Sequence, residues 1–232
     1  MKIKCVIFGI DDVLYDASFQ MSTARLNAIK AMIEAGLPTD IETAYRVLQS
    51  VVKECGSDNN KHFDRLLERL GLKWNPRVIA AGVAAYRETS PAYLKLYPDT
   101  FPTLLKLREA GYKIGIVSEG RAVKQWQKLI QLGIQHLFDY VVTSEETGSQ
   151  VLKPETIGSV LKTLKVHPDQ AIFVGNNLET DIRCANKAKV ISVRIRKGEN
   201  RTKEPESAET KPKYEISKIS EIFKVIEKAE KT

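Results

Sequence analysis

The chain has 232 residues, 43% of them hydrophobic, which suits one mid-sized domain or a domain carrying an insert and supplies a full core. No apolar run approaches the roughly 20 residues of a membrane span, and Met1-Lys2-Ile3-Lys4 leads straight into a strand pattern with no signal peptide, so a cytoplasmic protein is expected. The net charge of +7 is interspersed, with 9 Lys/Arg against 8 Asp/Glu in residues 197–232 and no basic-aromatic cluster, which argues against nucleic acid as a partner.

In chain order, Lys4-Cys5-Val6-Ile7-Phe8 is a short apolar run that reads as the buried first strand of a parallel sheet. Residues 17–90 then carry helical stripes: Leu26/Ile29/Ile33, Ala44/Val47/Leu48/Val51, Phe63/Leu66/Leu67/Leu70 and Ile79/Val83/Tyr86. They are separated by Gly36-Leu37-Pro38-Thr39-Asp40, Gly56-Ser57-Asp58-Asn59-Asn60 and Gly71-Leu72-Lys73-Trp74-Asn75-Pro76, so the spacing predicts an antiparallel four-helix bundle. From Tyr97 the pattern alternates: helix 99–110, strand 112–117, helix 121–132, strand 140–142, helix 155–165, strand 171–174, helix 178–187 and strand 190–195. Residues 197–213, rich in Lys, Glu, Thr and Pro, read as a solvated loop before a short strand at 214–216 and a helix from about Ser217. The expected fold is α/β, a Rossmann-like doubly wound parallel sheet built from 1–16 and 92–232, with 17–91 inserted as a helical cap. Of the three cysteines, Cys5 and Cys184 lie among apolar or small residues and read as buried thiols, and no CxxC spacing supports a metal.

The stretch Gly9-Ile10-Asp11-Asp12-Val13-Leu14-Tyr15-Asp16 places two adjacent carboxylates just past the first strand, where open α/β sheets hold their ligands. It resembles the first motif of the haloacid dehalogenase superfamily, in which an Asp at the strand end is the nucleophile and a second Asp two residues later is the acid/base. Asp11 and Val13 fit that pattern, whereas the nucleophile position holds Gly9. The resemblance covers the whole chain and is strongest to the subgroup with a helical cap after strand one. Within it, the phrase Gly120-x-x-Val123-Lys124-Gln125-Trp126 is similar to N-acylneuraminate-9-phosphatase-like proteins and their archaeal relatives.

The resemblance implies further roles. Ser118, with Glu119 and Gly120 after it, matches the motif whose hydroxyl and backbone N–H groups hold the transferring phosphoryl group. The motif lysine, usually in Lys-Pro-x-Pro, corresponds either to Lys153 or, in the other register, to Val151. Gly175-Asn176-Asn177-Leu178-Glu179-Thr180-Asp181 stands where the family has its metal-binding loop, with Asn176 at the metal Asp position and Asp181 at the final one. Mg²⁺ is the implied cofactor, and the donors left to it are the backbone carbonyl of Asp11, Asn176 and Asp181, a weak or lost site. Purely structural roles are the alternatives: Gly9 as a backbone requirement of a tight strand exit, Asp11 and Asp12 as helix caps or loop braces, and Asn176 and Asn177 as N-caps.

Three readings follow. The leading expectation is a degenerate, catalytically inactive or strongly impaired member that keeps a cleft for a small anion or metabolite, held by Ser118, Lys153 and backbone N–H groups. The second is a working phosphatase of phosphate monoesters with an altered mechanism, in which Asp11 activates water. The third is an interaction module built on the cap. A monomer and a homodimer are both compatible with the sequence.

Overall fold

The computed structural model describes residues 2–56 and 59–231, so Ser57 and Asp58 of the second expected break lie outside the described residues. In chain order, β1 (Cys5–Phe8) is followed by α1 (Ala17–Glu34), α2 (Ile41–Cys55), α3 (His62–Arg69) and α4 (Pro76–Ala92). Then come α5 (Thr100–Glu109), β2 (Lys113–Ser118), α6 (Ala122–Gln131), β3 (Tyr140–Thr143), α7 (Pro154–Leu164) and β4 (Ala171–Gly175). The chain closes with α8 (Arg183–Lys187), β5 (Ile191–Ile195), β6 (Tyr214–Ile216) and α9 (Ile222–Lys231). These elements form two compact units, Met1–Ser18 with Leu94–Thr232, and Phe19–Tyr93.

The first unit is a six-stranded, fully parallel sheet in the order β3-β2-β1-β4-β5-β6. Its central strands are continuous apolar runs because helices cover both faces, and every residue of β1 and β4 is buried. Strand order reverses between β1 and β4, which makes the carboxyl ends of β2, β1 and β4 the place where such a sheet holds a ligand. Phe8 pairs in register with Ile116 on one side and Val174 on the other, so the segments after Phe8, Ser118 and Gly175 leave the sheet close to one another.

The second unit packs Ile29, Met32, Leu48, Leu66, Leu67 and Val78 into its own core. Asp40 caps α2 by accepting from the Thr43 N–H at 2.8 Å, and Asn75 caps α4 ahead of Pro76 at its first position. On α1 the buried face runs through Ala24, Ala28, Ile29 and Met32, with Leu26 and Ile33 only half-buried, so the helix is turned from the expected stripe. A Cβ at Gly82 would come within 2.7 Å of the Met32 thioether, so α1 and α4 approach too closely for a side chain there.

Two details of the first unit depart from expectation. The helix after β4 opens with a π-helical turn at Leu178–Ile182, and the last helix begins at Ile222 after a 3-10 turn. Residues 197–213 are not simply solvated. Arg194 of β5 is fully buried and donates to the carbonyls of Asn200 and Lys203 at 2.8 and 2.6 Å and to the Glu215 carboxylate at 3.0 Å. A buried guanidinium needs such partners, and this loop supplies two of them. Among the described residues, no helix is long and apolar enough to cross a membrane.

Candidate active site

Gly9 follows directly on β1, and its N–H donates to the Val174 carbonyl at 2.9 Å, continuing the ladder. Its backbone does not lie in the left-handed region. A Cβ built there would meet Val13 Cγ2 at 3.2 Å and the Val174 oxygen at 3.8 Å, a fit needing a shift of only a few tenths of an ångström. Glycine is therefore not a backbone requirement at this strand exit.

Asp11 presents its carboxylate to two donors. The Tyr15 hydroxyl donates to Oδ1 at 2.8 Å, and Lys128 Nζ lies 2.8 Å from Oδ1 and 2.6 Å from Oδ2. Lys128 comes from α6 and is steadied by Gln125 one turn earlier, whose Oε1 accepts from Nζ at 3.2 Å. Gln125 is itself buried and donates from Nε2 to the Glu119 carbonyl at 2.9 Å, tying the helix to the loop after β2. The pair stays accessible, with the Lys128 and Asp11 side chains 25% and 39% exposed.

Asp12 is spent on structure. At φ 57° its carboxylate accepts from the N–H and hydroxyl of Ser18 at 2.8 and 2.6 Å, bracing the start of α1. Burial pushes its pKa above the usual carboxylate value, against those two hydrogen bonds. Gly198 packs so closely on this carboxylate that a Cβ there would clash outright.

Ser118 is buried at the end of β2, and its hydroxyl has no hydrogen-bond partner among the described residues. Gly120, at φ 109°, uses its N–H on Ser144 Oγ at 3.0 Å, and the Glu119 carboxylate accepts from the Leu152 N–H at 3.0 Å. Both brace neighbouring loops. Lys153 is the N-cap residue of α7, exposed and without an ion pair among the described residues, and Val151 is exposed as well. The ammonium on Asp11 is that of Lys128, a residue that the sequence motifs do not single out. The available signal was the i, i+3 pair Gln125/Lys128 on one face of α6.

After β4, the Asp181 carboxylate turns back on the strand exit. Its Oδ2 accepts from the N–H groups of Asn176 and Asn177 at 2.9 and 3.1 Å, and its Oδ1 from the Thr180 hydroxyl at 3.2 Å. Burial raises its pKa to about 6, opposed by those hydrogen bonds. A Cβ on Gly175 would lie 2.4 Å from the Asp181 side chain, so this brace requires glycine there. Asn177 caps the following turn by accepting from the Glu179 N–H at 3.0 Å, the structural role open to it from the sequence. Asn176 is buried beside the carboxyl end of β1. Among the described residues, no three His, Cys, Asp or Glu side chains come together as a metal cluster. The thiols of Cys5 and Cys184 are buried and pushed up to about 12 and about 11, which makes them inert. A surface depression of about 310 Å³ between Pro205, Pro212 and Tyr214 holds none of the residues that face Asp11.

Residues 6–195 match the haloacid dehalogenase-like hydrolase family. A glyceraldehyde 3-phosphate phosphatase of Methanopyrus kandleri is 49% identical over 97% of both chains. One of Methanocaldococcus jannaschii is 36% identical over 99% of both. Among solved structures, the HAD-hydrolase YfnB from Bacillus subtilis, described as bound to magnesium, aligns with a TM-score of 0.70 at 21% identity, covering 97% of this chain and 99% of its own. The relatives overturn the expectation of an inactive, degenerate chain, because proteins this similar over nearly their whole length bear the name of a working phosphatase. That expectation equated the missing carboxylate at Gly9 with missing chemistry, although a carboxylate, an ammonium and a free hydroxyl still stand at the same sheet edge. The chain belongs to the haloacid dehalogenase-like hydrolase family.

Proposed function

We propose that this protein is a phosphatase of small phosphate monoesters, glyceraldehyde 3-phosphate among them, that transfers the phosphoryl group directly to water. The observation that carries the reading is the full-length likeness to glyceraldehyde 3-phosphate phosphatases, joined to an accessible Asp11 carboxylate at the carboxyl edge of the sheet. Gly9 has no side chain to attack phosphorus, so the nucleophile is water held beside it. Asp11 takes a proton from that water as its oxygen bonds to phosphorus, and the bond from phosphorus to the substrate oxygen breaks. The departing alkoxide takes the proton from Asp11, leaving alcohol and inorganic phosphate. The Ser118 hydroxyl donates to a phosphoryl oxygen, where negative charge gathers. In this reading residues 17–91 act as the cap that selects the substrate.

Mg²⁺ enters as the family's cofactor, but the donors here do not fit a tightly held ion. The Asp181 oxygens are turned to N–H and hydroxyl donors, Asp11 is paired with Lys128, and what is left is a backbone carbonyl and the neutral Asn176 amide. Mg²⁺ favours carboxylates and phosphate oxygens in an octahedron. Asp11, Ser118 and water therefore carry the proposed steps without it. The test is phosphate release from glyceraldehyde 3-phosphate and a set of other small monoesters, with Mg²⁺ and with EDTA. Turnover in both conditions is expected; no release above buffer with Mg²⁺ present would overturn the reading.

A further inference from the structure

We propose that Lys128 is the phosphoryl-binding cation of this site, supplied from α6 in place of the loop lysine expected between β3 and α7. The inference rests on the phosphatase reading for its substrate but makes a separate claim about anion binding. A phosphate monoester dianion cannot settle beside a bare carboxylate, and Asp11 is needed there as the base. Some cation must offset both charges. Lys153, exposed at the N-cap of α7 and without an ion pair among the described residues, is not held for the task.

Lys128 is held. Its ammonium has three N–H groups, and three acceptors face it: the two Asp11 oxygens and Gln125 Oε1. Gln125 is fixed in turn by burial and by its bond to the Glu119 carbonyl, one residue from Ser118. When a phosphate arrives, Lys128 exchanges one of its two carboxylate contacts for a phosphoryl oxygen and keeps the other. No backbone movement is needed, because both side chains are already partly open to solvent. The ammonium then lies between the general base and the group it acts on. There it neutralises charge that a metal and a loop lysine would otherwise balance.

The test measures binding of inorganic phosphate by calorimetry, which needs no turnover, for the native chain and for Lys128→Met, Lys128→Arg and Lys153→Met. Thermal melts of each variant confirm that it folds. Loss of one charge-assisted contact predicts that Lys128→Met binds phosphate about 10- to 100-fold more weakly. Lys128→Arg, which keeps the charge, should recover part of that loss, and KM for glyceraldehyde 3-phosphate should rise in the same order. A Lys128→Met protein that binds within about twofold of the native chain overturns the proposal. So does a native chain that binds no phosphate, or a loss confined to Lys153→Met. If phosphate binding follows Lys128 but no monoester is hydrolysed, the proposed function fails and the binding role stands.

Discussion

Replacing Asp11 by Asn separates chemistry from architecture at this site. The amide keeps the shape of the side chain and an oxygen for the Tyr15 hydroxyl and Lys128, now at 2.8 and 2.6–2.8 Å from the carboxylate. What it removes is the negative charge and the ability to take a proton. The structural cost is small, because the ion pair is 39% and 25% exposed, and screened pairs of that kind are worth at most about 1 kcal/mol. In a protein of this size that is a melting shift of about 2–4 °C. The catalytic cost is larger, since a positioned general base contributes roughly 10²- to 10⁴-fold. The assay is phosphate release from glyceraldehyde 3-phosphate alongside a thermal melt. A rate within about twofold of the native enzyme, on a protein that melts normally, would refute Asp11 as the base.

Other perturbations probe the same frame. Gly9→Asp should fold with little loss, because the one close contact of a Cβ there is Val13 Cγ2 at 3.2 Å; combined with Asn176→Asp, it should raise activity about tenfold or more and make it Mg²⁺-dependent, measured as rate against Mg²⁺ concentration. Arg194→Met should cost about 1–3 kcal/mol in urea unfolding, since it leaves the Asn200 and Lys203 carbonyls without their donor. Asp181 gives a pH signature. Burial raises its folded pKa from 3.8 to about 6, so the fold favours the protonated form. That stabilising contribution is complete below the unfolded value and is lost as pH rises through about 6, a change of about 3 kcal/mol. Between pH 4.5, already above the unfolded value, and pH 7, urea unfolding should show the native chain losing about 2 kcal/mol more than Asp181→Asn, and an equal change in both would count against it.

Much of the fold was legible because it rests on local pattern. The apolar runs at Val6–Phe8 and Ile172–Val174 and the glycine stops at Gly111 and Gly133 mark βαβ units without reference to tertiary contact. The expectation of a solvated loop over 197–213 held for most of its side chains, which are exposed, but its polar composition hides a nonlocal fact: Arg194 draws two of its carbonyls inward. At the site, Asp11 and Ser118 could be found because each stands at a strand end, whereas Lys128 could not. It lies 117 residues from Asp11 in sequence and meets it only through the packing of α6. The expectation of inactivity failed for a related reason. It weighed the absences at Gly9 and Asn176 without the charges that the fold brings beside them.

The proposed hydrolysis passes through no phosphorylated enzyme. Mixing the native chain with glyceraldehyde 3-phosphate labelled in its phosphoryl group, and quenching with acid at successive times, tests it directly. Gly9 carries no carboxylate to be phosphorylated, so label should pass to inorganic phosphate with none retained on protein at any time. Label trapped on a protein side chain, or no release of phosphate at all, would contradict it.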